Sequence, residues 1–144
     1  MTTLQVTVPL SFAKPPLSLN DRGHWAKRAA IVRNLRHEVV TRLRHKKVPR
    51  PAAHVVVQFH YRPRQNRTRD TDNLIATIKP LVDALTPPTP ARRHGKKMLP
   101  PVPGYGLVPD DTPEFVTRPE AVIHQASPNP ACWLTLTITY KETS

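Results

Sequence analysis

Three segments of the chain alternate apolar and polar residues with a period of two, and this pattern constrains the fold more than any other feature. Such alternation is typical of strands that bury one face of a sheet and leave the other face in water. The most regular segment runs from about Trp133 to Tyr140, where threonines separate the apolar residues. The other two segments have their apolar positions at Leu4, Val6, Val8 and Leu10, and at Ala53, Val55, Val57, Phe59 and Tyr61. A one-sided sheet needs a layer of apolar side chains from other elements on its buried face.

Two further segments have apolar residues three and four positions apart, which predicts helices that supply this layer. The first helix is expected from about Arg22 to Lys46, and its apolar face comprises Trp25, Ala29, Val32, Leu35, Val39 and Leu43. The second helix begins near Asp72, and its apolar stripe comprises Leu74, Ile78, Leu81, Val82 and Leu85. At ~100° per residue, Asp72, Lys79 and Asp83 fall together on the opposite side of this helix.

The predicted element order is β-α-β-α-β-β, with the last two strands at Ala121–Ile123 and at about Trp133–Tyr140. We expect an α+β fold in which both helices pack on one face of a mixed, mostly antiparallel sheet. A chain of 144 residues fits a single domain that spans 1–144. A long, proline-rich, basic loop is expected at about 86–117. Loops of this length inside a compact domain are usually functional or mobile.

The chain is strongly basic, with 22 Lys and Arg residues against 10 Asp and Glu residues and a formal net charge of +12. A domain this basic usually binds nucleic acid or an anionic membrane. No apolar run approaches the ~18 residues needed to span a bilayer, and no signal-peptide core follows Met1, so we expect a cytoplasmic protein without a membrane partner. Basic residues occur on helix, loop and connection alike, which favours nucleic acid. The candidate nucleic-acid-binding residues are Lys27, Arg28, Arg67, Arg69, Arg92, Arg93, Lys96 and Lys97.

The acidic residues are concentrated in one part of this basic chain, since six of the ten are Asp70, Asp72, Asp83, Asp110, Asp111 and Glu114. Mg²⁺ is typically held by a few carboxylates together with substrate phosphates. Asp70 and Asp72 can point to the same side, and the long loop can bring Asp111 to them as a third ligand, with Asp110 as the second choice of that pair. A bound Mg²⁺ would polarise a phosphate and activate water, while Lys79 would stabilise the charge that develops on the phosphate. The pattern therefore predicts a nuclease centre.

The same residues also have ordinary structural interpretations. Asp72 at a helix start is typical of an N-cap. Asp83, four residues after Lys79, is typical of a solvated helix face, and Asp110–Asp111 can form a turn. The histidines show no ligand-like spacing, and Cys132 is expected to be a small buried hydrophobe.

Three short motifs follow one another along the chain: Asp70-Thr71-Asp72-Asn73-Leu74, Lys79-Pro80-Leu81-Val82-Asp83-Ala84-Leu85 and Val108-Pro109-Asp110-Asp111. In this order they resemble the RusA family of Holliday junction resolvases. The resemblance implies a small RusA-like α+β homodimer that uses Mg²⁺ to cut four-way DNA junctions in recombination and repair. It further implies that Asp70, Asp72 and Asp111 bind the metal ion and that Lys79 is the family's lysine.

The chain departs from the family pattern in two places. Ile75-Ala76-Thr77 looks like an insertion of nearly one helical turn before the lysine. The stretch from Thr86 to Tyr105 looks longer than the family's usual connection. We expect this stretch either to form an additional DNA-contacting flap or to be disordered.

The sequence as a whole therefore favours a Mg²⁺-dependent, structure-specific endodeoxyribonuclease that acts on branched DNA. The alternative is a non-catalytic DNA- or RNA-binding protein in which the acids serve as caps and turns. A pure binding protein has no need for acids concentrated in a basic chain, which favours the enzyme. Nucleases that place a Glu-x-Lys triplet after an Asp are a third class, which lacks support because no such triplet follows the Asp pair.

Overall fold

A computed structural model of the protein describes residues 1–17, 25–66, 69 and 71–142. Its main element is a five-stranded sheet. In chain order the elements are β1 (Thr2–Pro9), α1 (Trp25–His45), β2 (His54–Arg62), a 3-10 helix (Thr71–Leu74), α2 (Ile75–Asp83), β3 (Arg92–His94), β4 (Lys97–Leu99), β5 (Val116–Thr117), β6 (Val122–Ile123) and β7 (Ala131–Tyr140). β7 lies between β1 and β2 and pairs antiparallel with both. β5 and β6 pair with β2 in parallel, and β3 and β4 form a separate hairpin.

The pairing of β2 with β7 explains why the sequence alternates so regularly. Val57 lies opposite Leu136 and Phe59 lies opposite Leu134, and all four side chains are buried. The residues between them lie on the outer face of the sheet and remain partly exposed. Burying a side chain of this size contributes roughly 1.5–3 kcal/mol, and a one-residue slip would move a whole row to the wrong face. The predicted α+β class and the mostly antiparallel sheet are confirmed.

The segment predicted as a loop at about 86–117 contains more regular structure than expected. It holds the β3–β4 hairpin and ends in β5, so the predicted six-element order lacked three short strands. β5 lies in parallel register with β2, where Val116 faces Val55. A strand of two residues has no visible period, and a three-residue basic strand has no apolar face, so periodicity could not reveal them.

Helix α1 is buried only along its second half, which corrects the predicted apolar face. Leu35, Val39, Val40 and Leu43 are buried. Trp25 is 72% exposed and Ala29 is also exposed, so the first two positions of the predicted face were wrong. Periodicity gives the direction of a side chain but not whether another element covers it. The expected helix start at Arg22 lies outside the described residues.

A buried threonine attaches the loop that follows β1 to helix α2. The Thr77 hydroxyl donates a hydrogen bond to the Leu17 carbonyl oxygen over 2.9 Å and accepts one from the Leu17 backbone N–H over 3.1 Å. Both residues are buried. Thr77 belongs to the segment Ile75-Ala76-Thr77 that the sequence marks as an insertion. This segment therefore has a packing role in the fold.

The long connection returns to the end of α2 before it reaches the second acidic pair. The Tyr105 N–H donates to the Ala84 carbonyl oxygen over 2.7 Å, and the Gly106 N–H donates to the Thr86 carbonyl oxygen over 3.1 Å. A Cβ at Gly104 would lie 2.3 Å from the same Thr86 oxygen. Only glycine permits this close approach of two backbone segments. The two ends of the connection are therefore fixed beside each other.

Candidate functional site

The first acidic motif lies between β2 and α2, at the start of the helical segment. Thr71–Leu74 form the 3-10 helix, in which Asp72 is exposed. Helix α2 has Leu74 at its N-cap position and no side-chain cap, so Asp72 does not cap this helix. Asp70 and Arg67, both expected in the site, lie outside the described residues.

Lys79 joins two acidic parts of the sequence that lie far apart along the chain. Its Nζ lies 3.4 Å from Asp83 Oδ1, one turn further along α2, and 3.7 Å from Asp111 Oδ2 in the long connection. The side chain of Lys79 remains 59% exposed, so its ammonium group stays accessible to a ligand. The structure thus brings Lys79 and Asp111 together, as the predicted site requires.

Asp110 and Asp111 differ in what their side chains contact. Asp110 Oδ1 accepts a hydrogen bond of 2.8 Å from the Asp111 backbone N–H. The Thr112 carbonyl oxygen then accepts from the N–H groups of Phe115 and Val116, which closes a turn. The hydrogen-bonded turn thus begins at Thr112, directly after the acidic pair, and Asp111 reaches Lys79.

Asp72 and Lys79 line one open cleft of about 370 Å³. The other wall of this cleft is formed by Arg118, Pro119 and Glu120, which precede β6. The cleft thus combines carboxylates and cations from α2, from the segment before it and from the segment that leads into β6. Ile75, Ile78 and Ala121 also line the cleft, so its charged groups lie beside apolar side chains.

Glu120 is a candidate site residue that sequence reasoning missed. Its Oε1 accepts a hydrogen bond of 2.6 Å from the hydroxyl of Thr71, the residue that precedes Asp72. Its backbone carbonyl oxygen accepts a hydrogen bond of 3.0 Å from Gln58 Nε2 on β2. Nothing in the sequence marks Glu120, because its proximity to Thr71 depends on the parallel pairing of a two-residue strand with β2.

Arg36 links helix α1 to the long connection. Its Nε donates to the Pro103 carbonyl oxygen over 2.8 Å. Burial lowers the pKa of its guanidinium below the ordinary value, and the negative charge of Asp83 acts in the opposite direction and raises it.

The donor chemistry around Lys79 fits Mg²⁺, because Asp72, Asp111 and Glu120 offer carboxylate oxygens and no thiolate or imidazole. Among the described residues, no three His, Cys, Asp or Glu side chains form a group that could hold a metal ion. Asp70, which the motif pairs with Asp72, is not among those residues. The residues thus fit the ion by donor type, and a shared metal site of Asp70, Asp72 and Asp111 stays a prediction.

Among the described residues, the candidate nucleic-acid-binding side chains lie in three separate parts of the fold. Lys27 and Arg28 lie in the first turn of α1, and Arg92, Arg93, Lys96 and Lys97 lie exposed on the β3–β4 hairpin. Arg69 is half-buried, since its guanidinium donates to the Gln65 carbonyl oxygen and lies 5.6 Å from the centre of the Tyr61 ring.

Within the described ranges, neither helix is long and apolar enough to cross a membrane.

Two histidines form a second titratable cluster on the outer face of the sheet. His60 Nδ1 lies 2.9 Å from His124 Nε2, and both rings stack against Trp133. His60 Nε2 lies 2.9 Å from the Thr135 hydroxyl. Burial lowers the pKa of His60 below its ordinary value, and the nearby His124 lowers it further.

Burial also raises the pKa of the Cys132 thiol to about 12, as expected for a cysteine with a packing role.

No family model matches the chain, and no curated protein matches it significantly. The likeness to RusA proteins therefore rests on the three motifs alone.

Proposed function

We propose that this protein is a Mg²⁺-dependent, structure-specific endodeoxyribonuclease of the RusA type, which resolves four-way DNA junctions by paired phosphodiester hydrolysis. The observation that carries the proposal is the position of Lys79, with Nζ 3.4 Å from Asp83 and 3.7 Å from Asp111 on the rim of an open cleft. In this proposal, phosphodiester hydrolysis needs carboxylates that hold a metal cation. It also needs a fixed positive charge beside the phosphate. The net charge of +12 supplies the attraction for DNA.

Each site residue has a defined role in this proposal. Asp72 and Asp111 would hold Mg²⁺ together with Asp70. A bound ion would polarise the scissile phosphate and lower the pKa of the attacking water. Lys79 contacts a non-bridging phosphate oxygen and stabilises the negative charge that builds up on it during hydrolysis. Glu120 holds the Thr71 hydroxyl and so restrains the backbone just before Asp72.

A homodimer is part of the proposal, because resolution of a four-way junction requires matched cuts in two strands. The junction has approximate twofold symmetry, and two copies related by a twofold axis present two identical centres at a fixed separation. Recognition then depends first on phosphate contacts and on the shape of the junction, and binding falls steeply as salt rises.

A second candidate function is DNA or RNA binding without catalysis. The β3–β4 hairpin favours it, since its four cations are exposed and need no carboxylates to contact a phosphate backbone. A single measurement distinguishes the two functions, namely whether a bound junction is cleaved in the presence of Mg²⁺.

The proposal predicts that the Asp72→Asn variant loses cleavage and keeps junction binding. The change removes one ligand and one negative charge that repels DNA, so we expect cleavage to fall by on the order of a hundredfold or more, with affinity equal or higher. The measurement is gel analysis of end-labelled four-way junctions of several sequences, with and without Mg²⁺, together with a binding titration in Ca²⁺. The Asp70→Asn variant is expected to behave in the same way.

A matched control is Glu142→Gln, which removes an exposed carboxylate far from the cleft that pairs with the N-terminal amine. Its cleavage rate is expected to stay within about twofold of the original protein, as for most exposed substitutions. Comparable cleavage by the Asp72→Asn variant would contradict the proposed metal site. If the protein binds junctions of every tested sequence but cuts none of them, the result would support the non-catalytic function instead.

A further inference from the structure

The β3–β4 hairpin combines a high positive charge with one exposed apolar side chain. Arg92, Arg93, Lys96 and Lys97 are exposed, and no acidic residue lies between positions 84 and 109. Met98 is 66% exposed, although methionine is among the side chains most often buried. A hairpin with four cations repels a second copy of itself and attracts a polyanion. Its charge therefore selects nucleic acid as the partner for this surface.

The register of the hairpin separates its side chains into two faces. Arg93 lies directly opposite Met98, whereas His94 lies opposite Lys97. Directly opposite residues share a face, and neighbours along a strand point to opposite faces. Met98 thus shares one face with Arg93, and the second face carries Arg92, His94, Lys97 and the partly buried Leu99. One face of the hairpin therefore offers an apolar side chain flanked by a cation.

The hairpin is a preformed arm and not a loop that must order on binding. A two-residue turn at Gly95, whose φ is +62°, connects the strands, and Thr89 and Val102 exchange backbone hydrogen bonds of 3.0 and 2.8 Å at the base. At ~3.4 Å per residue, the six residue steps from Thr89 to Gly95 span up to about 20 Å. This reach is enough for the tip to enter a groove of a DNA helix.

The base of the arm lies against helix α1, since Thr89 and Val102 line a cleft whose other wall is formed by that helix. The connection that carries the arm starts after Asp83 and later passes through Asp111, and the carboxylates of both residues lie within 4 Å of Lys79 Nζ. The arm and the acidic residues beside Lys79 therefore belong to one continuous segment of the chain.

We propose that this hairpin is an arm that enters the centre of branched DNA, where Met98 inserts between bases at the branch point and Arg93 contacts an adjacent phosphate. The inference rests on the proposed function, because it requires branched DNA as the substrate. A two-stranded ribbon fits the major groove, which is about 12 Å wide. Apolar wedges, methionine among them, open base steps in many DNA-bending proteins. Bases at a branch point lack a continuous stack, so insertion there disrupts less stacking than insertion into a duplex.

The test compares binding and base unstacking for hairpin variants of the full chain. The DNA is a four-way junction with the fluorescent base 2-aminopurine at the branch point, and the reference is a duplex with the same base at its centre. Met98→Ser removes the wedge, Met98→Leu keeps an apolar side chain, and Arg93→Gln removes the adjacent charge. Lys46→Gln removes a charge from an exposed lysine outside the hairpin and serves as the charge control. All these side chains are exposed, so the variants are expected to fold.

We expect the original protein to raise 2-aminopurine fluorescence in the junction but not in the duplex. The Met98→Ser variant should lose this rise, and its affinity for the junction should fall by about tenfold, the factor that corresponds to burying one such side chain. Its affinity for the duplex should not change, and Met98→Leu should retain both signals. Affinity falls as salt rises, and the Arg93→Gln variant should make this dependence less steep, by the amount that corresponds to about one phosphate contact. The Met98→Ser variant should leave the salt dependence unchanged.

Unchanged fluorescence and unchanged junction affinity in the Met98→Ser variant would overturn the inference, and so would an equal loss of affinity for junction and duplex. A change of oligomeric state in this variant, seen by sedimentation, would identify Met98 as a contact between copies and would also overturn it. These outcomes are distinct from failure of the proposed function, in which the original protein binds the junction but never cuts it.

Discussion

Lys79 has its ammonium group shared between two carboxylates, Asp83 on its own helix and Asp111 in the connection. An exposed pair of this kind contributes only about 0.3–0.5 kcal/mol when it lies four residues apart on a helix. A phosphate oxygen that approaches Lys79 therefore replaces Asp83 at little cost. In this way the lysine can remain near Asp111 and still contact the substrate.

We predict that Lys79→Ala lowers the cleavage rate far more than it lowers junction affinity. The lost charge acts on the transition state, so the cleavage rate should fall by on the order of a hundredfold, while the affinity changes by less than about threefold. Single-turnover cleavage with saturating protein separates the two effects. Asp83→Asn is the matched control, since it removes a partner of Lys79 but no proposed ligand, and its rate should remain near that of the original protein. A loss confined to affinity would show that Lys79 is only a phosphate contact.

Glu120 is expected to be a positioning residue that acts through Thr71. Replacing it with alanine should lower kcat by about tenfold without changing KM, because the backbone before Asp72 loses a restraint. Glu120→Gln keeps an oxygen that accepts the Thr71 hydrogen bond, and should restore most of the activity. Thr71→Val combined with Glu120→Ala should be no worse than either change alone. Equal inactivity of the Gln and Ala variants would contradict positioning and indicate that the negative charge itself is required.

Helix α2 is held in place from the side by the Thr77 hydroxyl, which makes both of its hydrogen bonds to the backbone of Leu17. Thr77 lies two residues before Lys79, so the same contact that anchors the loop after β1 also fixes the lysine's helix. The segment that interrupts the family spacing is therefore an attachment point for a neighbouring loop.

We predict that Thr77→Val destabilises the protein by about 1–3 kcal/mol, since the change keeps the shape of the side chain but leaves the buried N–H and carbonyl oxygen of Leu17 without partners. Urea unfolding followed by circular dichroism measures this loss. Thr137→Val is the control, because Thr137 lies on the outer face of the sheet, and its effect should stay within about 0.5 kcal/mol. A loss of stability below about 0.5 kcal/mol in the Thr77→Val variant would contradict the proposed anchor.

The sequence was most informative where an element is long and covered on one side. The alternation at Leu134, Leu136 and Ile138 predicted a strand whose buried face the structure confirms, because each of these residues packs in the core. The same reasoning failed for Trp25, since the pattern of a helix does not reveal where its neighbours end. The hairpin and β5 were missed because strands of two or three residues are determined by hydrogen bonds to distant segments.

The candidate site shows the same division between local pattern and tertiary contact. The proximity of Lys79 and Asp83 follows from their spacing on one helix, and the structure confirms it. Asp111 was expected near Lys79 from its motif, whereas Glu120 belongs to no motif and reaches Thr71 only through the path of the chain into β6. The position of Asp70, which lies outside the described residues, stays a prediction.

The stability of the whole protein should depend on pH through the histidine pair on the outer face of the sheet. The pKa of His60 in the folded state lies below its ordinary value of 6.5, with burial as the larger cause and His124 as the smaller. The unfolded chain therefore binds more protons than the folded one as pH falls below about 6.5, and stability decreases in that range.

We predict that the melting temperature drops between about pH 7.5 and about pH 5.5, and that His60→Gln reduces this drop. Glutamine retains polar atoms near Thr135 but does not titrate. The measurement is thermal unfolding at both pH values, with His37→Gln, on the exposed surface of α1, as the control for loss of one histidine. An equal drop in the His60→Gln variant and the original protein would show that other groups cause the dependence.

The position of β7 in the sheet determines when this chain can fold. β7 follows every other element in the sequence, yet it lies between β1 and β2 and supplies hydrogen bonds to both. Until residue 140 has left the ribosome, β1 and β2 lack the strand that joins them, and the backbone edges that face β7 have no hydrogen-bond partner from it. Folding must then close contacts across nearly the whole chain in one cooperative step, which is slow compared with the folding of helical domains of this size. A nascent chain of this protein is therefore expected to depend on chaperones, or on rapid completion of synthesis, to avoid aggregation before β7 is made.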